Sequence, residues 1–219
     1  MALEIPLFPL RTVLFPGMPL PLRIFEERYL VMMRELENSA SPLGVLLIKQ
    51  GQETGGGTIP FDVGTTAAVE ETEEVEGGRL VVLCRGLRRF RLIRMLPPEP
   101  YPRGEIEYIE DQAARPEEDV GEPLSRVRKS FPEYFQLAQA LTDQWARPFS
   151  LPSEPHALVN LLGPWLKAEE REKQDLLELR GAAERVTRLA DLLDDLIGRV
   201  RPEVEQHRRR RYGGLGGRN

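Results

Sequence analysis

Proline and glycine interrupt almost every apolar run between Leu3 and Ile109. Punctuation this dense leaves room for strands and tight turns but for little helix. Residues 3–10 and 18–24 read as two strands separated by the turn Phe15-Pro16-Gly17. Their prolines confine both to sheet edges or bulges, because proline has no N–H to give a ladder. One short helix fits, residues 26–37, with Tyr29, Leu30, Met33 and Leu36 on a single face. Residues 43–49 then read as a buried strand, and 51–57, with four glycines, as a mobile loop. Residues 66–75, 80–88 and 90–96 form a meander whose first turn is Glu76-Gly77-Gly78-Arg79. Apolar and polar side chains alternate over 101–109, as in a half-buried strand. A sheet with so many edges is protected best by curling closed.

Past the acidic stretch at 111–122 the pattern turns helical. Residues 123–142 carry Val127, Phe131 and Phe135 at helical spacing, with Pro132 kinking or dividing the helix. A second helix starts at Ser153-Glu154-Pro155, capped by Ser153, and runs to about residue 162. A third covers 168–179. The last spans 182–200, its stripe Val186, Leu189, Leu193, Leu196, Ile197 and Val200 docking on the preceding helices or on another copy, and Pro202 ends it. The expectation is an α+β chain: a β lobe at 1–110, a helical bundle at 122–202, and a basic flexible tail at 203–219.

Composition narrows the function. With a formal net charge of -5, and with Arg208, Arg209, Arg210, Arg211 and Arg218 gathered in a tail that has no acid, the rest of the chain is acidic. Nucleic acid could be held only by a local patch, of which Arg208 to Arg211 is the evident one. Cys84 is the single cysteine and lies in an apolar run, so it reads as a buried small hydrophobe in a reducing, cytoplasmic setting. No stretch reaches the length of a membrane span, and the amino terminus lacks the basic start of a signal peptide.

Catalytic chemistry finds no foothold. No Gly-Lys pair occurs, so the phosphate loop of an ATPase is missing. His156 and His207 are the only histidines, too few for a histidine metal cluster, and His156 reads as a capping or solvated residue near a helix start. Lys129-Ser130 is the one adjacent lysine–serine pair, and neighbours on a helix diverge by about 100°. The paired acids Glu70-Glu71 and Glu73-Glu74 read as a solvated edge that discourages aggregation. No catalytic residue, metal or cofactor is assigned.

The run IPLFPLRTVLFPGMPLPLRIFE at residues 5–26 closely resembles the start of the amino-terminal, substrate-recognising domain of Lon proteases. VGTTAA at 63–68, CRGLRRF at 84–90, EKQDLLEL at 172–179 and Glu184-Arg185 extend the resemblance through nearly the whole chain. The resemblance implies a PUA-like curled β-barrel with a helix, then a helical bundle, and capture of unfolded or exposed polypeptide segments. With the basic tail following Val200 and Pro202, it implies a stand-alone, non-enzymatic adaptor that works with a separate protease or chaperone. The client would meet an edge strand or an apolar groove. Phe15, Pro16, Met18 and Pro19 are the candidate lining, unless they merely close the barrel end. The alternative is an RNA-binding module using the barrel and Arg208, Arg209, Arg210 and Arg211.

Overall fold

The structure, a computed structural model, describes residues 2–39, 41–54, 57–141 and 150–212; the side chains of residues 208 and 210–212 lie outside that description. The chain forms two compact units, residues 1–110 with 160–164 and 169–180, and residues 111–159 with 165–168 and 181–219.

The first unit holds β1 (Leu3–Leu10), β2 (Pro19–Ile24), α1 (Glu27–Ser39), β3 (Leu43–Gln50), β4 (Ile59–Val75), β5 (Arg79–Leu96), β6 (Arg103–Tyr108) and α4 (Glu170–Glu178). The strand order is β2-β5-β4-β3-β1-β6, and a further β5–β6 pairing closes five of the six strands into a ring. β1 and β3 run parallel and the other pairs antiparallel. Closure removes most of the edges that the sequence left open.

Two expected strands, 80–88 and 90–96, are one 18-residue strand, and β4 starts at Ile59 rather than near Thr66. Gly86 lets β5 continue. It sits opposite Ala67 in the ladder, and a Cβ there would lie 2.3 Å from the carbonyl oxygen of Phe15. The length matters, because β5 pairs with β2 over its first half and with β6 over its second.

β1 is not an edge strand, contrary to the reading of its prolines. It has two half-length neighbours instead: β6 pairs with residues 3–6 and β3 with residues 7–10. Leu7 N–H donates to the Pro102 carbonyl on the β6 side. N–H groups alternate sides along a strand, so the Pro9 nitrogen faces the β6 side beyond the end of that pairing. The Pro6 nitrogen faces the β3 side before that pairing begins. Each proline stands where no ladder partner needs its hydrogen.

Among the described residues, two apolar clusters pack within the unit. Ile5, Leu7, Leu46, Phe90 and Ile106 form one. The other brings Phe8, Leu20, Leu22, Ile24 and Val82 against Tyr29, Leu30, Met32, Met33 and Leu36, the buried face of α1. α4 is too short to persist alone. Hydrogen bonds tie it to the unit: Glu170 accepts from the Val13 N–H at 2.7 Å, Gln174 donates to the Val63 carbonyl at 2.9 Å, and buried Arg89 donates to the carbonyls of Leu177 and Leu179.

The second unit contains α2 (Gly121–Ala140) and α5 (Ala182–Tyr212), and α3 (Pro155–Leu162) begins in it. Pro132 sits inside α2 without dividing it. α5 runs on through Pro202 to Tyr212, where a helix end was expected. The stripe from Val186 to Val200 is buried, and α5 lies along α2, so its apolar face is covered within the unit. Arg126 joins the two helices through Asp191 at 3.0 Å and Asp194 at 2.7 Å. That guanidinium's hydrogen bond, with a smaller contribution from the Ser130 hydroxyl, holds the Asp194 carboxyl below the usual range.

Glu154, not Ser153, caps α3: its carboxylate accepts from the N–H groups of His156 at 2.9 Å and Ala157 at 2.5 Å. A carboxylate at this end also complements the helix dipole.

Candidate functional site

Exposed apolar side chains are ordinary on a protein surface. One here coincides with a concavity. Phe25, 60% exposed, stands at the rim of a groove of about 200 Å³ in the first unit. Phe8 and Tyr29 make the floor, their rings meeting edge to face at 4.3 Å between centroids, the arrangement that ring quadrupoles favour. Pro9 and Leu10 form one wall, the segment from Pro21 to Phe25 the other, and Glu26, Glu53 and Thr54 the mouth. The Arg28 guanidinium covers the Tyr29 ring at 4.5 Å and pairs with Glu26 at 2.8 Å.

The groove follows from the way the ring closes. At one end β6 bridges β1 and β5. Toward the other end β6 has stopped, and β2 takes its place beside β5. The second half of β1 and the outer edge of β2 therefore flank an interruption in the barrel wall, and among the described residues neither is paired there.

The structure divides the four residues singled out in the sequence. Phe15 is fully buried, and this corrects its assignment to an exposed lining: its carbonyl lies against Gly86, and a Cβ on Gly163 would be 2.6 Å from its ring. Pro16 and Met18 are half-buried and Pro19 is exposed, but the groove is lined by the residues that follow them. Phe25 was missed, although the alternation of Leu20, Leu22 and Ile24 with Pro19, Pro21 and Arg23 puts it on the outward row.

His156 is also not a solvated residue. It is 7% exposed, with Nε2 3.1 Å from the Gln112 carbonyl and Nδ1 3.1 Å from the Arg185 guanidinium. A guanidinium can only donate, so Nδ1 accepts and the hydrogen sits on Nε2. The Ser130 hydroxyl donates to Asp194 at 2.9 Å and is not aligned on a lysine. Of the four tail arginines, Arg209 is exposed, and the side chains of Arg208, Arg210 and Arg211 lie outside the described residues.

Cys84 is buried in the α1-facing core cluster, and burial, reinforced by the Glu70 charge, pushes its thiol up to about 11. The folded value is raised above the ordinary 9.0. This contribution to stability is therefore complete below pH 9 and disappears as the pH rises through about 11. Ellman's reagent is expected to react slowly with the folded protein at pH 8 and at the rate of a free thiol once urea unfolds it. Fast labelling of the native protein at pH 8 would contradict the burial.

The sequence matches the model of the ATP-dependent protease La (LON) substrate-binding domain over residues 4–195. The chain belongs to that family. It is 27% identical over 213 residues to the Lon protease of Cytophaga hutchinsonii, covering 93% of this chain and 25% of the relative. It is 28% identical over 231 residues to that of Nitratidesulfovibrio vulgaris, covering 95% and 27%. The chain thus spans about a quarter of the length of these relatives. The Lon N-terminal domain protein from Xanthomonas campestris superposes with a TM-score of 0.61 at 29% identity, covering 85% of this chain and 96% of that one. The N-terminal domain of Mycobacterium avium complex Lon protease gives 0.56 at 19% identity, covering 88% and 98%, and shows the shared fold.

In this LON substrate-binding domain, four of the five stretches that carried the resemblance meet in the first unit, and Glu184-Arg185 belongs to the second. CRGLRRF supplies Arg89, which grips the end of EKQDLLEL at Leu177 and Leu179. VGTTAA supplies Thr65, whose hydroxyl donates to the Leu14 carbonyl at 2.6 Å, and Thr66, whose hydroxyl donates to the Arg88 carbonyl at 3.1 Å beside a register shift. These motifs bind the fold together. Only the first, through Phe8, Pro9, Pro21 and Phe25, also contributes to the groove.

Proposed function

We propose that this chain binds exposed segments of unfolded polypeptides and presents them to a separate protease or chaperone in the cytoplasm, as a non-catalytic adaptor. Membership of a substrate-binding family supports polypeptide as the ligand. The observation that carries the site is Phe25, a large aromatic left in solvent beside an apolar groove. Burying such a ring on a partner contributes roughly 1.5–3 kcal/mol. Among the described residues no helix is long and apolar enough to cross a membrane. The RNA-binding alternative is not favoured: the groove is apolar, with Glu26 and Glu53 at its mouth.

The test is binding of a reduced, carboxymethylated client protein followed by fluorescence anisotropy. Phe25→Asp is expected to weaken binding at least about tenfold, while the unfolding free energy stays within about 0.5 kcal/mol of wild type because the ring is exposed. Phe25→Leu should retain most of the affinity. Equal binding by wild type and Phe25→Asp would remove the groove from the proposal, and no binding to any unfolded client would remove the polypeptide reading.

A further inference from the structure

The hydrogen-bond polarity of the groove walls points to a narrower ligand class. On β2 the Met18 carbonyl accepts from the Gly86 N–H at 2.9 Å, which fixes the direction of the whole strand. Residues 20, 22 and 24 turn their main-chain groups to β5, and residues 19, 21 and 23 turn theirs to the open edge. Two of those three are proline. The edge thus offers the carbonyls of Pro19, Pro21 and Arg23 but a single N–H, that of Arg23. The facing wall repeats the pattern, since Pro9 turns a carbonyl and no N–H toward the interruption. Both walls accept and hardly donate.

We propose that this slot takes an extended polypeptide segment that supplies the N–H groups itself, so that its ligands are selected for being proline-poor as well as apolar. The inference rests on the polypeptide-binding reading and deepens it. Alternate carbonyls on a strand repeat every ~6.8 Å, the repeat of the N–H groups along one side of an extended peptide. The partial negative charge of the carbonyl row complements the partial positive charge of that N–H row. Alternate side chains of the segment then face the floor of Phe8 and Tyr29 and the Phe25 ring.

The same polarity argues against the other occupants of an open edge. A second copy of β2 would set carbonyls against carbonyls, because Pro19 and Pro21 deny donors to either edge. A helical ligand has already used its N–H groups internally.

The experiment starts from overlapping short peptides of the carboxymethylated client, from which the tightest binder to the full chain is taken. That peptide is resynthesised with one backbone N-methyl group at each position in turn, and separately with one proline at each. N-methylation is expected to weaken binding about three- to tenfold at alternate positions of the binding core and to be tolerated between them. Proline should reproduce the sensitive set. Uniform tolerance, with affinity still lost in Phe25→Asp, would overturn the inference and leave capture by side chains alone, the polypeptide reading intact. Failure of every peptide and of the intact unfolded client to bind would remove both.

Discussion

Replacing Arg89 with methionine is expected to lower the stability of the first unit by about 3–5 kcal/mol and to release α4 before the rest. Arg89 is buried and donates to the carbonyls of Leu177 and Leu179 at the carboxyl end of α4. Each hydrogen bond from a charged donor to such an acceptor is worth about 1.5–3 kcal/mol, and a buried carbonyl left without a partner carries its full desolvation cost. The cation also opposes the negative end of the helix dipole. Methionine keeps most of the volume, so the loss reports the polar ties and not a cavity. Arg88→Met is the internal control. That side chain is exposed, stacks on Tyr108 at 4.1 Å and pairs with Glu110 at 3.1 Å. Its removal should cost about 1 kcal/mol or less. Urea unfolding gives the difference in midpoint, and amide hydrogen exchange over residues 170–178 shows whether α4 leaves first. Indistinguishable curves for the two variants would mean that α4 is held without Arg89, by its apolar face and the Glu170 and Gln174 hydrogen bonds.

These neighbouring arginines also mark the limit of what could be read from the chain. Alternation says that residues 88 and 89 point to opposite faces, but not that one face of β5 would be covered by a helix some 85 residues downstream. The periodicity of 168–179 gives a helix without saying which unit it packs on. Local chemistry was legible: the hairpin at Gly77 and Gly78, both at positive φ, the buried face of α1, and the stripe of α5. Pro202 was misread because a proline near a helix end removes one hydrogen bond without forcing a stop. Pairing was less legible, since it depends on ring closure. Nothing in residues 79–96 announces that one strand serves two partners, and the groove exists only because it does. Phe15 was assigned to the surface because Gly86 and Gly163, the two glycines that make room for it, lie far apart in sequence. Phe25 could have been found, for it continues an outward row that the alternation of β2 already defines.

The second large effect is expected at Arg185, which the sequence presents as one more charge on a helix and the structure buries completely. Its guanidinium donates to His156 Nδ1, and His156 Nε2 in turn donates to the Gln112 carbonyl, which also accepts the N–H of Ala182. The start of α5, the start of α3 and the chain at Gln112 are joined through one ring. Arg185→Ala removes a large buried side chain as well as the donor, and should cost about 3–5 kcal/mol in the second unit. Arg185→Met separates the two causes, since it restores volume and leaves Nδ1 without a donor; about 1–3 kcal/mol is expected. His156→Phe should cost a similar amount. The double variant Arg185→Met with His156→Phe removes both polar partners, and replacing both by apolar groups of similar shape is nearly neutral where removing one is not. It should therefore be more stable than the sum of the single losses predicts, by at least about 1 kcal/mol. Strict additivity in urea unfolding would mean that the histidine is not what the buried arginine serves.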